Sequence, residues 1–310
     1  MKIRRVNVIE ILYEHSSIAI KKAMEANLLQ FIKASVIPGE EVLDSDEIFR
    51  WYCGDNILMR NWVLTPKFTP ENAHKKVVEQ MEYFKKRKVT FLWWNGPSAQ
   101  PANLGEIMEE AGMIKLKLPP KSGDMVMDIR NVQNLEIKFN TILKKTGISI
   151  RTIQSYKQIR DAADIVIKTN HMSKNFREPG IKSCEVMLQE DPSVNKLVGY
   201  IAYVEDVPVA VSSAFYGAGV VGIYNVGTLK KYQHQGIGTA ITLAPLLDAQ
   251  KKGFEIAVLT ATTQGFPVYK RIGFKKLKIM DQYFWTPQRV KRFLFTMYFH
   301  WQLRKTRKKK

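Results

Sequence analysis

Only two cysteines, Cys53 and Cys184, occur in 310 residues, and neither has metal-ligand or dithiol spacing around it. A disulfide scaffold and a cysteine redox motif are thereby excluded, and the composition suits a reducing cytoplasm. No apolar run approaches the roughly 18 residues of a membrane-spanning helix. The start, M-K-I-R-R-V-N-V-I-E-I-L-Y-E-H, is basic, but Glu10 and Glu14 interrupt it before an apolar core fit for a secretory signal. Acid is scarce: 29 Asp and Glu stand against 48 Lys and Arg, a net charge of +19. From Arg289 to Lys310 there is no acid at all. Such clustering points to an anionic partner.

The glycine-bearing turn K-Y-Q-H-Q-G-I-G-T, Lys231 to Thr239, is also defined by what it lacks. No Lys-Ser or Lys-Thr follows its glycines, which rules out a Walker P-loop. Ile241 stands where a dinucleotide fingerprint needs its third glycine. The turn follows a β-like run, Val220 to Leu229, and precedes a helix-like run, Ala240 to Lys252. The first amides of a helix have no internal partners, and the helix dipole favours negative charge there. Gly236 and Gly238 remove the side chains that would hold a pyrophosphate away, and they permit positive φ. The turn predicts a phosphorylated cofactor.

Gln233, Gly236 and Gly238 fit the pattern Q/R-x-x-G-x-G/A. After the helix comes Gly253, then a strand-like run from Phe254 to Leu259. The segment T-A-T-T-Q-G-F-P-V-Y-K-R-I-G-F, Thr260 to Phe274, follows and ends in Y-x-x-x-G-F, filled by Tyr269, Gly273 and Phe274. This succession resembles the GNAT superfamily of acyl-CoA-dependent N-acetyltransferases, closely over Val220 to Phe274 and more loosely from about Ile148. The resemblance implies a mixed, largely antiparallel sheet flanked by helices, in the order β-α…β-β-β-α-β-α. It also implies acetyl-CoA as cosubstrate, and no metal is called for.

By the same resemblance, the backbone of Val226, Gly227 and Thr228 hydrogen-bonds the pantetheine arm and polarises the thioester, as an oxyanion hole does. The turn formed by Gln233, His234, Gln235, Gly236, Ile237, Gly238 and Thr239 holds the pyrophosphate, with His234 acting through its backbone. Tyr269, a phenol protonated at neutral pH, is the general acid for the departing thiolate. Thr262 stands where many relatives carry a cofactor-contacting Asn. Tyr224 stands where many carry a Glu base, and the strand from Val220 to Leu229 has no Asp, Glu or His. Ordered water, His171 or Glu178 in the loop after the first helix, or an acceptor of low pKa are the alternatives for deprotonation. Pro245, inside the helix after the turn, removes the N–H that would meet the carbonyl of Ile241 and should kink or loosen that turn.

The length suggests two domains. Helical signals cover Val6 to Lys33, a helix begins at Pro70 after Thr69 and runs to about Lys85, and Val89 to Trp94 reads as a strand. A helix spans Pro101 to Ala111, and another strand spans Met125 to Ile129. The division expected is a degenerate GNAT-like α/β half over 1–135, a polar linker over 136–147, a GNAT domain over 148–286 and a basic aromatic tail over 287–310. The first half faintly repeats the second. Aligning Gly112 with Gly273 puts Met108 opposite Tyr269, and the turn T-P-K-F-T-P-E-N-A-H has no glycine. The first copy thus lacks both loop and tyrosine, and its role is structural or as a wall of a cleft. In the tail, F-L-F-T-M-Y-F-H-W between basic clusters suits docking on the protein itself, an anionic membrane surface or RNA. The reading is a cytoplasmic N-acetyltransferase acting on a primary amine, small-molecule or peptide. A non-catalytic acyl-CoA sensor and a basic RNA- or ribosome-associated protein are the alternatives. Aminoacyl transfer from charged tRNA is disfavoured, because that donor needs no pyrophosphate cradle.

Overall fold

The computed structural model describes residues 3–6, 9–130, 133–170, 172–189, 196–278 and 280–287. The chain opens with a two-stranded antiparallel ladder, β1 (Ile3–Val6) and β2 (Ile9–Leu12), in place of the helix expected from Val6. I-E-I-L alternates with a period of two, which a strand uses and a helix does not. Helix α1 (Ser17–Ala34) starts where Ser16 supplies the N-cap, its hydroxyl accepting from the Ala19 amide at 3.2 Å. Next come β3 (Glu41–Asp44), β4 (Phe49–Tyr52), β5 (Asn61–Leu64), α2 (Ala73–Lys86), β6 (Phe91–Asn95), α3 (Leu104–Glu110) and β7 (Ile114–Lys115). Helix α2 begins three residues later than Pro70, because Thr69 first closes a turn by accepting from the Asn72 and Ala73 amides.

The chain continues through β8 (Gly123–Asp128), α4 (Gln133–Thr146), β9 (Ser149–Thr152), α5 (Tyr156–Asn170), α6 (Arg177–Gln189), β10 (Leu197–Val204), β11 (Val207–Gly217) and β12 (Val220–Thr228). Then come α7 (Ile237–Lys251), β13 (Ile256–Ala261), α8 (Phe266–Ile272), β14 (Lys275–Lys276) and β15 (Asp281–Trp285). Two further sheets result. One has seven strands in the order β14-β8-β13-β12-β11-β10-β9, and the other six in the order β3-β4-β5-β6-β15-β7. Each is antiparallel except at one pair, β12 with β13 and β5 with β6.

The two halves exchange a strand. β8 belongs to the first half in sequence but lies between β14 and β13, pairing antiparallel with both. β15 belongs to the second half but lies between β6 and β7. The compact units are therefore interleaved: one joins the chain up to Ile37 to Lys121–Lys278, the other joins Pro38–Pro120 to β15. This differs from the contiguous division into 1–135 and 148–286, which assumes that each half closes its own sheet. The stretch 136–147, expected as a linker, lies almost wholly in α4. Leu135, Phe139, Ile142 and Leu143 recur at helical spacing and pack on the core of the seven-stranded unit. Of the basic aromatic tail expected over 287–310, all beyond 287 lies outside the described residues.

Helix α7 lies on the main core of its unit, with Ile237, Ala240, Ile241, Leu243 and Leu246 fully buried or nearly so. Pro245 does not leave an orphan there. The hydroxyl of Ser212, on β11, donates to the Ile241 carbonyl at 2.6 Å and replaces the missing N–H. The expected loosening of the helix is met by the sheet beneath it.

Candidate functional site

β12 and β13 run parallel but stay paired only at Val221↔Ala257 and Gly222↔Val258. Beyond that point β13 continues against β8 on its other side, as far as Ala261↔Gly123. β12 continues against β11, through Val211↔Gly227 and Ala210↔Thr228. The two strands thus part, and among the described residues the backbone of Val226, Gly227 and Thr228 has no ladder partner on the β13 side. A bulge sharpens the parting. The β11–β12 register shifts between Val211 and Ser213, and Asn225 opposite it takes φ +54°. Gly227 is required by packing, since a Cβ there would overlap the Thr169 hydroxyl on α5.

The turn from Gln233 to Thr239 lies just past the end of β12. His234 and Gly236 have φ +64° and +92°, and Gly236 caps α7. Among the described residues the amides of His234, Gln235, Gly236, Ile237 and Gly238 donate to no backbone acceptor. The Thr239 and Ala240 amides both turn inward to the Gly236 carbonyl. A run of unengaged amides at a helix N-terminus is an anion cradle. Exposed Lys230 and Lys231 beside it add positive charge. Gln233 faces the other way, donating through Nε2 to the Thr228 carbonyl at 2.9 Å, so its side chain ties the turn to β12. Gln235 Nε2 folds back on the Lys231 carbonyl, and the His234 side chain is exposed. Ile142, on α4, lies 3.4 Å from where a Gly236 Cβ would stand, so the segment read as a linker lines the turn.

Tyr269 sits on α8 in the core, 8 % exposed, with its ring 6.0 Å from that of Phe274. Burial pushes its pKa up, so the phenol holds its proton at any physiological pH. Among the described residues that hydroxyl makes no hydrogen bond. The Tyr269 carbonyl accepts from the Gly273 and Phe274 amides, which is what the Y-x-x-x-G-F spacing encodes. Thr262 caps the turn into α8, its hydroxyl accepting from the Gly265 amide at 3.1 Å.

Tyr224 is not placed to act as a base. Its hydroxyl donates to Asn27 Oδ1 at 2.8 Å, and its ring stacks on Phe31 with centroids 4.1 Å apart. Asn27 Nδ2 in turn donates to the carbonyls of Phe215, Gly217 and Val220. Burial raises the Tyr224 pKa far above the ordinary phenol range. Glu178 lies in the first turn of α6, 68 % exposed and paired with Arg177, which also grips Asp164. His171 lies outside the described residues.

Among the described residues the six-stranded sheet offers no second opening of this kind. β5 and β6 pair through Trp62↔Leu92, Val63↔Trp93 and Leu64↔Trp94, and a bridge Lys67↔Gln100 zips them further. The Phe68 and Gln100 amides add hydrogen bonds to Gln100 and Pro66 across the same gap. Met108, fully buried on α3, precedes Gly112 by four residues, as Tyr269 precedes Gly273.

No protein-family model matches the chain, and no curated protein matches it. Solved structures do. The chain is similar to a GCN5-related N-acetyltransferase from Kribbella flavida, with TM-score 0.61 and 16% identity over 88% of this chain and 96% of that one. It is also similar to a tandem GNAT protein from the clavulanic acid biosynthesis pathway, with TM-score 0.55 and 10% identity over 88% of this chain and 95% of that one. Both likenesses span the two units, and the chain has the GNAT fold in two parts.

Proposed function

We propose that the protein is an N-acetyltransferase that moves an acetyl group from acetyl-CoA to a primary amine by direct attack. One observation carries the reading: the parting of β12 from β13 lies beside a run of unengaged amides at the N-terminus of α7. A pantetheine arm needs the first and a pyrophosphate needs the second. Val226, Gly227 and Thr228 would hold the arm and polarise the thioester carbonyl, and the amides from His234 to Gly238 would hold the pyrophosphate. Tyr269, kept protonated by burial, would give its proton to the departing sulfur. The first half would act as a scaffold, and the paucity of cysteine supports a cytoplasmic setting.

Calorimetric titration of acetyl-CoA into the protein and into Gly236→Glu tests this. The substitution strains a residue at φ +92° and brings a negative charge and side-chain bulk into the turn beside Ile142. Binding by the native chain with loss in the variant is expected. Binding with no transfer to any amine would favour an acyl-CoA sensor, and no binding by the native chain would overturn the enzyme reading.

A further inference from the structure

A buried carboxylate stands beside the opening, and the first half of the sequence supplies it. β13 pairs with β8 as Thr260↔Asp124, and β12 pairs with β13 as Gly222↔Val258. Counted two residues further along both strands, Tyr224 corresponds to Thr260 across the opened ladder, and Thr260 pairs with Asp124. By residue count the three share one rung, with no ladder bond between the first two. Side chains alternate along a strand. Val221, Ile223, Ala257, Leu259 and Met125 belong to the core that includes α7, which leaves the three rung residues on the opposite face. Thr260 is exposed there, and its hydroxyl donates to Asp124 Oδ1 at 2.8 Å. Asp124 is 5 % exposed. After burial, the Asp124 charge is the further influence that raises the Tyr224 phenol, so the carboxylate and the position of Tyr224 share one neighbourhood.

We infer that Asp124, held by Thr260, takes the proton of the acceptor amine. The inference rests on the acetyl-transfer reading. Tyr224 occupies the position where the resemblance places a carboxylate, and it is sealed against Asn27 and Phe31. The carboxylate has moved two strands across the same rung, onto the strand exchanged between the halves. In the step, Asp124 first takes one proton from the ammonium form of the acceptor and passes it to water. The freed nitrogen then bonds to the acetyl carbon, the carbon–sulfur bond breaks, and the sulfur gains a proton from Tyr269. The second nitrogen proton returns through water to the Tyr269 phenolate, so that one proton has passed from nitrogen to sulfur and one to solvent; an acceptor that arrives as free base skips the first transfer.

The competing role for Asp124 is a tie between β8 and β13, and the test separates the two. Asp124→Asn keeps the size and still accepts from Thr260. Thr260→Val leaves the carboxylate in place and removes only the Thr260 hydrogen bond, at an exposed position. Enzyme-dependent CoA release from acetyl-CoA is followed with two small acceptors at neutral pH. Ethylamine is mostly protonated and must lose a proton, whereas hydroxylamine is mostly free base. For Asp124→Asn, we expect ethylamine turnover to fall about 10²-fold and hydroxylamine turnover by less than about 3-fold, at unchanged acetyl-CoA affinity. Thr260→Val should show the same selectivity with a smaller loss. Equal losses with both acceptors, or none with either, overturn the inference. A native protein that binds acetyl-CoA but transfers to no amine, these two included, would instead remove the transferase reading, and Asp124's role with it.

Discussion

Ser212 and Pro245 should be energetically coupled, and the coupling is measurable without knowing the acceptor. Pro245 cannot donate to the Ile241 carbonyl, and Ser212 Oγ supplies that hydrogen bond at 2.6 Å from β11. Ile241 is wholly buried and Ser212 is 2 % exposed, so water has no access to the carbonyl if the hydroxyl is removed. Ser212→Ala should therefore cost about 1–3 kcal/mol, the penalty for an unsatisfied buried acceptor. In a Pro245→Ala background residue 245 regains its N–H and can close the helical bond to Ile241. There the same Ser212→Ala change should cost only a few tenths of a kcal/mol, giving a coupling of roughly 1–2 kcal/mol. Urea unfolding of the four proteins reads this directly from midpoints at constant slope. Pro245→Ala alone combines a gain in helix propensity with lost packing of the ring, so its own sign decides nothing. Equal costs of Ser212→Ala in both backgrounds would refute the argument, because Ser212 would then act independently of the proline.

Two further outcomes follow from the same structure. Tyr269→Phe removes a hydroxyl with no hydrogen bond among the described residues, so stability and acetyl-CoA affinity should hold while turnover falls about 10²-fold; unchanged turnover in steady-state kinetics would remove Tyr269 from the acid role. Separating the chain between β8 and α4 should leave neither fragment folded alone by circular dichroism, because each sheet loses an interior strand, and mixing them should restore structure. Independent folding of either fragment would contradict the exchange of β8 and β15.

What the sequence showed plainly was local. Strand β12 begins and ends where its apolar run does, and the turn after it has the conformation its glycine demanded, with φ +92° at Gly236. Tyr269, Gly273 and Phe274 sit in register because one helical turn and one positive-φ glycine fix their spacing. The helix α4 was legible too, through Leu135, Phe139, Ile142 and Leu143, but the polar residues between them read as a linker. The rest was hidden for a physical reason. Which strand completes which sheet is a non-local choice, and β8 and β15 carry ordinary strand patterns that either sheet could accept. Asp124 stands just before the strand expected over Met125 to Ile129 and becomes a buried group only once β8 pairs with β13.

That exchange changes how the degenerate half should be understood. A half that had lost its loop and its tyrosine could be discarded if the two sheets were independent. Here the seven-stranded sheet contains β8, and the face of β11 and β12 around Tyr224 is packed by α1, both from the first part of the chain. Asn27 alone holds three carbonyls at the β11–β12 turn and fixes the Tyr224 hydroxyl. Meanwhile β5 and β6 stay zipped past Leu64 and Trp94, where a functional copy would have to open. The first half has closed its own cleft while supplying a strand, a helix and, by the present inference, a carboxylate to the other. Its retention is then explained by what it contributes to the open cleft, and substitutions in β8 or α1 should register in the chemistry of a site that the sequence places a hundred residues away.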